Sequence, residues 1–566
     1  MQSLSEKIQW RNFLSVVLAL AVLSSPALGW QQSATTTATT AAAKPSTPLS
    51  KTERDTVSQL KLETIREAVT TLSSKEMEGR GTAQPGADRA ARYIAERYAK
   101  FGLKPLGDAG TYMQAIKFKV AQVLPESSVK LGDNTVLKFA EDFVVPPPYT
   151  SEQADASGGV AFIGYGVVSE ELKRDDLAGL DLKGKIVVML NGRPKGVDEA
   201  AWAKASNPQT RLMNILSRGA TAFILANVGN AKQPFSVISN YLSRRRVSLA
   251  TAPEPPFKLP PILLASDAAV EKLFAGSGAT YAQTLEKATA GENVSRDLAK
   301  TATLTLRVKK EEGTSSNVVG VLEGSDPKLK DQAVVYTAHY DAYGVDVFGR
   351  IYPGAADNAL GTGMIIGIAE AFSKATPKPR RSIIFLAVTG EEYGLLGAEH
   401  WVRNPTWPIE KVVADINHDS AGSEIYAPVK RIVAWGQEHS DLGAVFEGAV
   451  AATGNIVEPD PVPEEGVFQR SDHYAFVKRG VPALMMMGAP ATESSVWLPR
   501  LKKWMETDYH SPEDKVMPDW NWSGPHTLAT VGLVIGMRVA NAEQMPAWLA
   551  SSPFNRPRGT SAPPKN

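Results

Sequence analysis

Five short segments in the second half of the chain carry the residues best suited to chemistry. His339-Tyr340-Asp341 follows the apolar run Ala333 to Thr337, and Asp357-Asn358 closes a Gly-rich loop that opens a helical run. Glu391-Glu392 follows Ser382 to Val388 across Thr389-Gly390, and Asn417-His418-Asp419 follows Lys411 to Ile416. Tyr509 to Asp514 adds His510 in a turn. An isolated Glu-Glu pair is explained well enough as first-turn helix acids complementing the macrodipole. The company these two keep points elsewhere: all seven histidines lie between His339 and His526, although the first 338 residues are more than half of the chain. Imidazole is most often used as a ligand or an acid–base group.

Several carboxylates in one cleft repel each other unless cations neutralise them. Two divalent ions would balance the carboxylates of Asp357, Glu392 and Asp419 together with one bound hydroxide. Mixed imidazole and carboxylate donors suit zinc, so two zinc ions per chain are expected. In that arrangement Asp357 bridges the ions, His339 and Asp419 complete one position, and Glu392 and His510 complete the other. Asp341, two residues from His339, would fix the imidazole tautomer. Glu391 is left beside the metals, placed to take a proton from water and pass it to a leaving group. The expected catalytic residues are therefore Glu391 and Asp341.

Bringing these segments together requires strands that end at one edge. The strands Ala333 to Thr337, Ser382 to Val388 and Lys411 to Ile416 alternate with the helices Gly363 to Phe372 and Leu395 to Val402. That alternation predicts an α/β fold, a mixed, mainly parallel sheet flanked by helices, with the chemistry at the carboxyl ends of its strands. Nearer the N-terminus, Ala91, Ile94, Ala95, Tyr98 and Phe101 fall at helix spacing behind Pro85-Gly86, with Gly102 as a C-cap. After Pro146-Pro147-Pro148 the texture changes to short strand-like runs, Val160 to Ile163, Ile186 to Leu190, Ala222 to Leu225 and Ile262 to Leu264, with one helix at Arg211 to Arg218. This stretch holds no histidine and reads as an inserted β-rich module.

Residues 1–29 have the make-up of an export signal: Lys7 and Arg11, an apolar run Phe13 to Leu23 too short to span a bilayer, then Ala27 and Gly29. The expected organisation is a signal peptide 1–29, a disordered linker 30–54, an N-terminal part of the catalytic domain 55–145, the insert 146–298, the catalytic part 299–546 and a disordered tail 547–566. The protein is expected to be periplasmic or secreted, with no integral membrane anchor after cleavage. The absence of cysteine excludes disulfides and lipoprotein anchoring. The balance of 61 basic against 60 acidic residues argues against nucleic acid as a partner; the one basic run, Arg244-Arg245-Arg246, reads as a solvated loop. Composition leaves the oligomeric state undetermined.

The segments AHYDAYG, GAADNALGTG, TGEEYGLLGAEH, INHDSAG, SDHYAF and YHSPEDK resemble, in order and spacing, the co-catalytic di-zinc aminopeptidase family of the clan MH metallopeptidases. Glutamate carboxypeptidase and the transferrin receptor ectodomain are relatives. Glu391 follows Asp357 by 34 residues and Asp419 follows Glu392 by 27, as in the family. EMEGRGTAQPGADRAARYIAERYAKFGLKPLGD resembles the family's opening helices. Through LKGKIVVMLNG, RGATAFILA and LPPILLAS the insert is similar to a protease-associated domain. Family members often carry a second acid where this chain has Ala356, which should cost no ligand because the bridge is the Asp preceding Asn358, and a small residue where it has Leu360, which would instead reshape the nearby pocket.

The resemblance implies a zinc-exopeptidase-like fold and an exported zinc-dependent exopeptidase, foremost an aminopeptidase. It would hydrolyse N-terminal residues from peptides through a zinc-bridging hydroxide with Glu391 as general base. The alternatives are a carboxypeptidase on the same di-zinc site, which needs a cation for the substrate carboxylate, and a mono-zinc glutaminyl-cyclase-like transferase, which could spare His339 or Asp419. A non-catalytic scaffold would not keep every ligand. His473, in a family motif, is expected close to the site; His418 is expected to point away from it, and His400, His439 and His526 to be surface or core residues. Met485-Met486-Met487 reads as strand packing.

Overall fold

The computed structural model describes residues 47–229, 233–254, 258–419, 425 and 427–560. The expected signal peptide and residues 30–46 of the expected linker lie outside the described residues. The chain forms two compact units, one comprising Val120–Arg246 and Thr251–Glu311, the other residues 47–119, Val247–Ala250 and 312–560. No helix among the described residues is long and apolar enough to cross a membrane.

The second unit holds the candidate site. Its main elements are α1 (Leu62–Leu72), α2 (Pro85–Lys100), β1 (Ala333–His339), α3 (Leu360–Ser373), β2 (Ser382–Val388), α4 (Leu396–Arg403), β3 (Val412–Asn417), β4 (Val429–Trp435), α5 (Leu442–Ala452), β5 (Ala483–Pro490), α6 (Ser494–Thr507) and α7 (Ser523–Asn541). The strands β2, β1, β3 and β5 lie side by side and parallel, in that order. Antiparallel partners flank them, the segment 318–322 beside β2 and β4 beside β5.

Both faces of this sheet are covered, so its strands are apolar on both sides. Ile383, Phe385 and Ala387 of β2 pack into the core that includes α1, α3 and α7. The alternate residues Ile384, Leu386 and Val388 face Trp401 and Val402 of α4 and Phe476 on the other side. The helix α3 is buried from Leu360 to Phe372. Its Gly363 lets α1 approach, since a Cβ there would stand 2.8 Å from Val69. Leu360 belongs to this core and is fully buried.

The other unit is built on four adjacent parallel strands, in the order Ile262–Ala265, Ala222–Ala226, Ile186–Leu190 and Gln153–Phe162. Among its described residues there are five helices where one was expected: Glu199–Ala205, Pro208–Leu216, Phe235–Leu242, Asp267–Phe274 and Tyr281–Thr289. Each spans seven to nine residues, too short for a periodic pattern, and four are set by N-caps at Asp198, Asn207, Ser266 and Thr280. The unit is thus α/β rather than simply β-rich, and it reaches beyond the expected boundaries 146–298 to Val120 and Glu311.

Three other expectations are corrected. The linker 30–54 ends early: the helix Lys51–Val57 starts inside it, closed by a capping box between Ser50 and Glu53. The tail 547–566 is packed as far as it is described, because Phe554 is buried against Trp548, His439, Phe468 and Tyr474. Arg244 and Arg245 are buried rather than solvated, and the Arg246 guanidinium lies over the Tyr241 ring at 4.4 Å.

Candidate metal centre

The parallel register decides which residues can meet. His339 ends β1 opposite Val388, the last residue of β2, so Glu391 and Glu392 emerge three and four residues beyond the neighbouring strand end. Thr337 of β1 pairs with Asn417 at the end of β3, which places Asp419 at the same edge. The loop before α3 supplies Asp357, and the turn after α6 supplies His510.

Side chains from all five segments converge. His339 Nε2 stands 3.2 Å from Asp357 Oδ1 and 3.3 Å from Asp419 Oδ1. His510 Nε2 stands 3.0 Å from Asp357 Oδ2 and 3.1 Å from Glu392 Oε2. Asp357 thus divides its two oxygens between the two imidazoles. Glu391 Oε2 is 3.9 Å from His339 Nε2, outside these closest contacts.

The donors fit a pair of zinc ions. Ligand atoms held about 2.0–2.2 Å from one zinc in a tetrahedron stand about 3.3 Å from each other, the spacing found around His339 and His510. His339 Nε2 and Glu392 Oε1 are buried and make no hydrogen bond, which is costly unless another partner satisfies them. Two groups of potential ligands form here, His339, Glu391 and Asp419 in one and Asp357, Glu392 and His510 in the other.

Electrostatics give the same reading. Burial pushes the Glu391 carboxyl well above the usual carboxylate range, opposed by His339 and reinforced by Asp419, Asp472 and Glu392. Burial opposes protonation of His510, but Glu392 and Asp357 outweigh it and carry the imidazole up to about 9. A site that draws protons in this way has a surplus of negative charge, which divalent cations would neutralise.

Supporting residues fix the donors from behind. His339 Nδ1 faces the carbonyl oxygen of Asp341 at 3.2 Å, while the Asp341 carboxylate is farther, at 3.8 Å. That carboxylate instead accepts the Thr82 hydroxyl at 2.9 Å and the Glu391 amide at 3.3 Å. Asp341 therefore orients His339 chiefly through its backbone and Glu391 through its side chain. Burial pushes its carboxyl up to about 6. Asp357-Asn358 is a cis peptide. Asn358 donates to the His418 carbonyl at 2.9 Å and accepts the Gly361 amide; a Cβ on Gly361 would stand 2.0 Å from that carbonyl oxygen.

Two supports were not singled out from the sequence. Asp514 accepts the amides of Ala356 and Asp357 at 2.8 and 3.0 Å. Arg80 is fully buried and donates to the carbonyls of Tyr340, Leu72, Pro353 and Gly354 at 2.5 to 2.7 Å. Both sit inside quoted segments, EMEGRGT and YHSPEDK, but nothing in their spacing marks them.

The remaining histidines separate clearly. His418 is buried with its ring against Tyr336, and burial pushes it down to about 4. His473 is buried, with Nδ1 3.4 Å from Asn417 Nδ2; its neighbour Asp472 has buried carboxyl oxygens that make no hydrogen bond, and burial, reinforced by Asp419 and Asp341, pushes that carboxyl well above the usual carboxylate range. His400 and His526 are half-buried, and His439 packs among aromatic rings. Met485 to Met487 are strand residues in the core.

A parallel, helix-flanked sheet with imidazole and carboxylate donors at its carboxyl edge defines the zinc-exopeptidase class of fold. Residues 317–534 match the model of Peptidase family M28. The segment that carries the six motifs is thus similar to Peptidase family M28, and the resemblance read from the sequence is borne out there. Aminopeptidase YwaD of Bacillus subtilis strain 168 is 30% identical over 220 residues, 38% of this chain and 43% of that protein. The chain therefore spans less than half the length of that relative. Among solved structures, an aminopeptidase from Aneurinibacillus sp. strain AM-1 superposes with a TM-score of 0.54 at 18% identity, over 87% of this chain and 97% of that one. A zinc aminopeptidase from Bacillus subtilis gives 0.53 at 18%, over 86% and 97%. At that identity the two structures establish the fold.

Proposed function

We propose that the protein is an exported zinc-dependent exopeptidase that removes N-terminal residues from peptides. The observation that carries this reading is the sharing of Asp357 between His339 and His510, with Glu391 beside the donors but outside their closest contacts. His339, Asp419 and one oxygen of Asp357 would hold one ion; Glu392, His510 and the other oxygen would hold the second. Zinc bound there supplies Lewis-acid polarisation of the scissile carbonyl and an acidified water.

The chain's own residues supply the proton transfers and the positioning. Glu391, whose burial makes its carboxylate a stronger base, takes a proton from the attacking water in its ionised form and delivers it to the leaving amine. Asp341 anchors the Glu391 backbone. Burial of the surrounding groups excludes bulk water, which strengthens each of these interactions.

The carboxypeptidase alternative requires a cation free to bind a terminal carboxylate. The buried Arg80 guanidinium, which feels the charges of Asp514, Asp341, Asp357 and Glu392, is engaged by four carbonyls. Cleavage of dipeptides blocked at one end separates the two readings. The aminopeptidase reading expects hydrolysis when the carboxyl end is blocked and none when the amino end is blocked; the reverse pattern would replace it.

A further inference from the structure

Tyr343 lies two residues past Asp341 and is 6% exposed. It stands at the foot of the hairpin formed by Gly344–Val345 and Ile351–Tyr352. Its hydroxyl oxygen is 3.3 Å from His510 Nδ1. Its ring meets the imidazole edge-on, with centroids 4.8 Å apart at 79°. The Tyr509 ring stacks on the same imidazole at 3.6 Å and 21°. His510 is therefore held by one tyrosine at its Nδ1 edge and by another against its face, while Nε2 is turned to Asp357 and Glu392.

An imidazole that gives Nε2 to a metal carries its remaining proton on Nδ1, and the acceptor of that proton fixes the tautomer and the ring plane. For His339 the acceptor is a backbone carbonyl. For His510 the geometry offers the phenol oxygen of Tyr343, to which Nδ1–H donates. The two imidazoles are thus supported by different groups on different segments.

We propose that Tyr343 is the positioning residue of His510 and sets the metal affinity of the Glu392–His510 position separately from that of the His339–Asp419 position. This rests on the two-metal reading above. Loss of such a supporting partner typically lowers metal affinity about 10- to 100-fold.

Tyr343→Phe removes the hydroxyl and keeps the ring, so the test is a zinc titration of metal-free wild type and variant in competition with a chromogenic chelator. Absorption spectra of the cobalt(II)-substituted proteins accompany it. The wild type should bind two ions. The variant should bind one with wild-type affinity and the other about 10- to 100-fold more weakly, with only one cobalt band altered. Two wild-type affinities in the variant would overturn the proposal, and equal weakening of both positions would too, since it would reflect general loosening. A wild type that binds fewer than two ions would overturn the two-metal reading itself and this proposal with it.

Discussion

The Asp514 carboxylate holds the backbone that carries Asp357, one oxygen accepting the Ala356 amide at 2.8 Å and the other the Asp357 amide at 3.0 Å. Burial pushes this carboxyl up to about 7, opposed by the two amides and Arg80. Because Asp357 faces both imidazoles, a shift of its loop would disturb both metal positions together. Asp514→Asn leaves only one oxygen for two amides, and a buried unpaired amide costs about 1–3 kcal/mol. The variant should melt earlier and bind both zinc ions about 10- to 100-fold more weakly. Unchanged zinc affinity in a competition titration would remove Asp514 from this role.

Glu391→Gln separates proton transfer from metal binding. The variant should retain the wild-type zinc content and lose on the order of 10² to 10⁴ in turnover. Steady-state kinetics on a peptide substrate, with metal analysis of the same sample, checks both halves. Turnover close to wild type would exclude Glu391 as the proton carrier.

A pH effect is expected at Glu53, which accepts the Arg538 guanidinium at 2.9 Å and the Ser50 amide at 2.6 Å. Burial pushes the Glu53 carboxyl up, but the Arg538 and Ser50 bonds outweigh it and hold it below its ordinary value of 4.5. The folded state therefore binds this proton less tightly than the unfolded state. The resulting stabilisation is complete above 4.5 and is lost as pH falls through the lowered folded value. Glu53→Gln should cost about 1–2 kcal/mol at neutral pH. The difference in Tm from the wild type should shrink on acidification; a constant difference would contradict the assignment.

The packed C-terminal segment gives a stability prediction. Phe554 fills a space between Trp548, Phe468 and Tyr474, and burying an aromatic ring of this kind is worth about 3 kcal/mol when truncated to alanine. Phe554→Ala should lower the denaturation midpoint accordingly. A loss within a few tenths of a kcal/mol would mean that the segment does not pack in solution.

What could be read before folding follows from range. The run Ser382 to Val388 is the strand β2 residue for residue, and β1 and β3 differ from their expected limits by one or two residues. A short apolar run bounded by polar residues marks a buried strand locally. The convergence of His339, Asp357, Glu391, Glu392, Asp419 and His510 followed because parallel neighbours share one edge. Asp514, Arg80 and Tyr343 act through backbone groups or rings distant in sequence, and no local pattern marks such partners. The composition of the tail suggests disorder, whereas Phe554 and Trp548 find their contacts only in the folded unit. The short helices of the other unit were missed because seven to nine residues do not complete enough turns to show a period.

The central claim is that Asp357 joins two metal positions, and the zinc content of the purified protein tests it most directly. Metal analysis against protein concentration should find about two zinc ions per chain. One zinc per chain would contradict the shared-ligand arrangement and favour a mono-zinc site, and none would leave the carboxylates and imidazoles at this sheet edge without the cations that their charge requires.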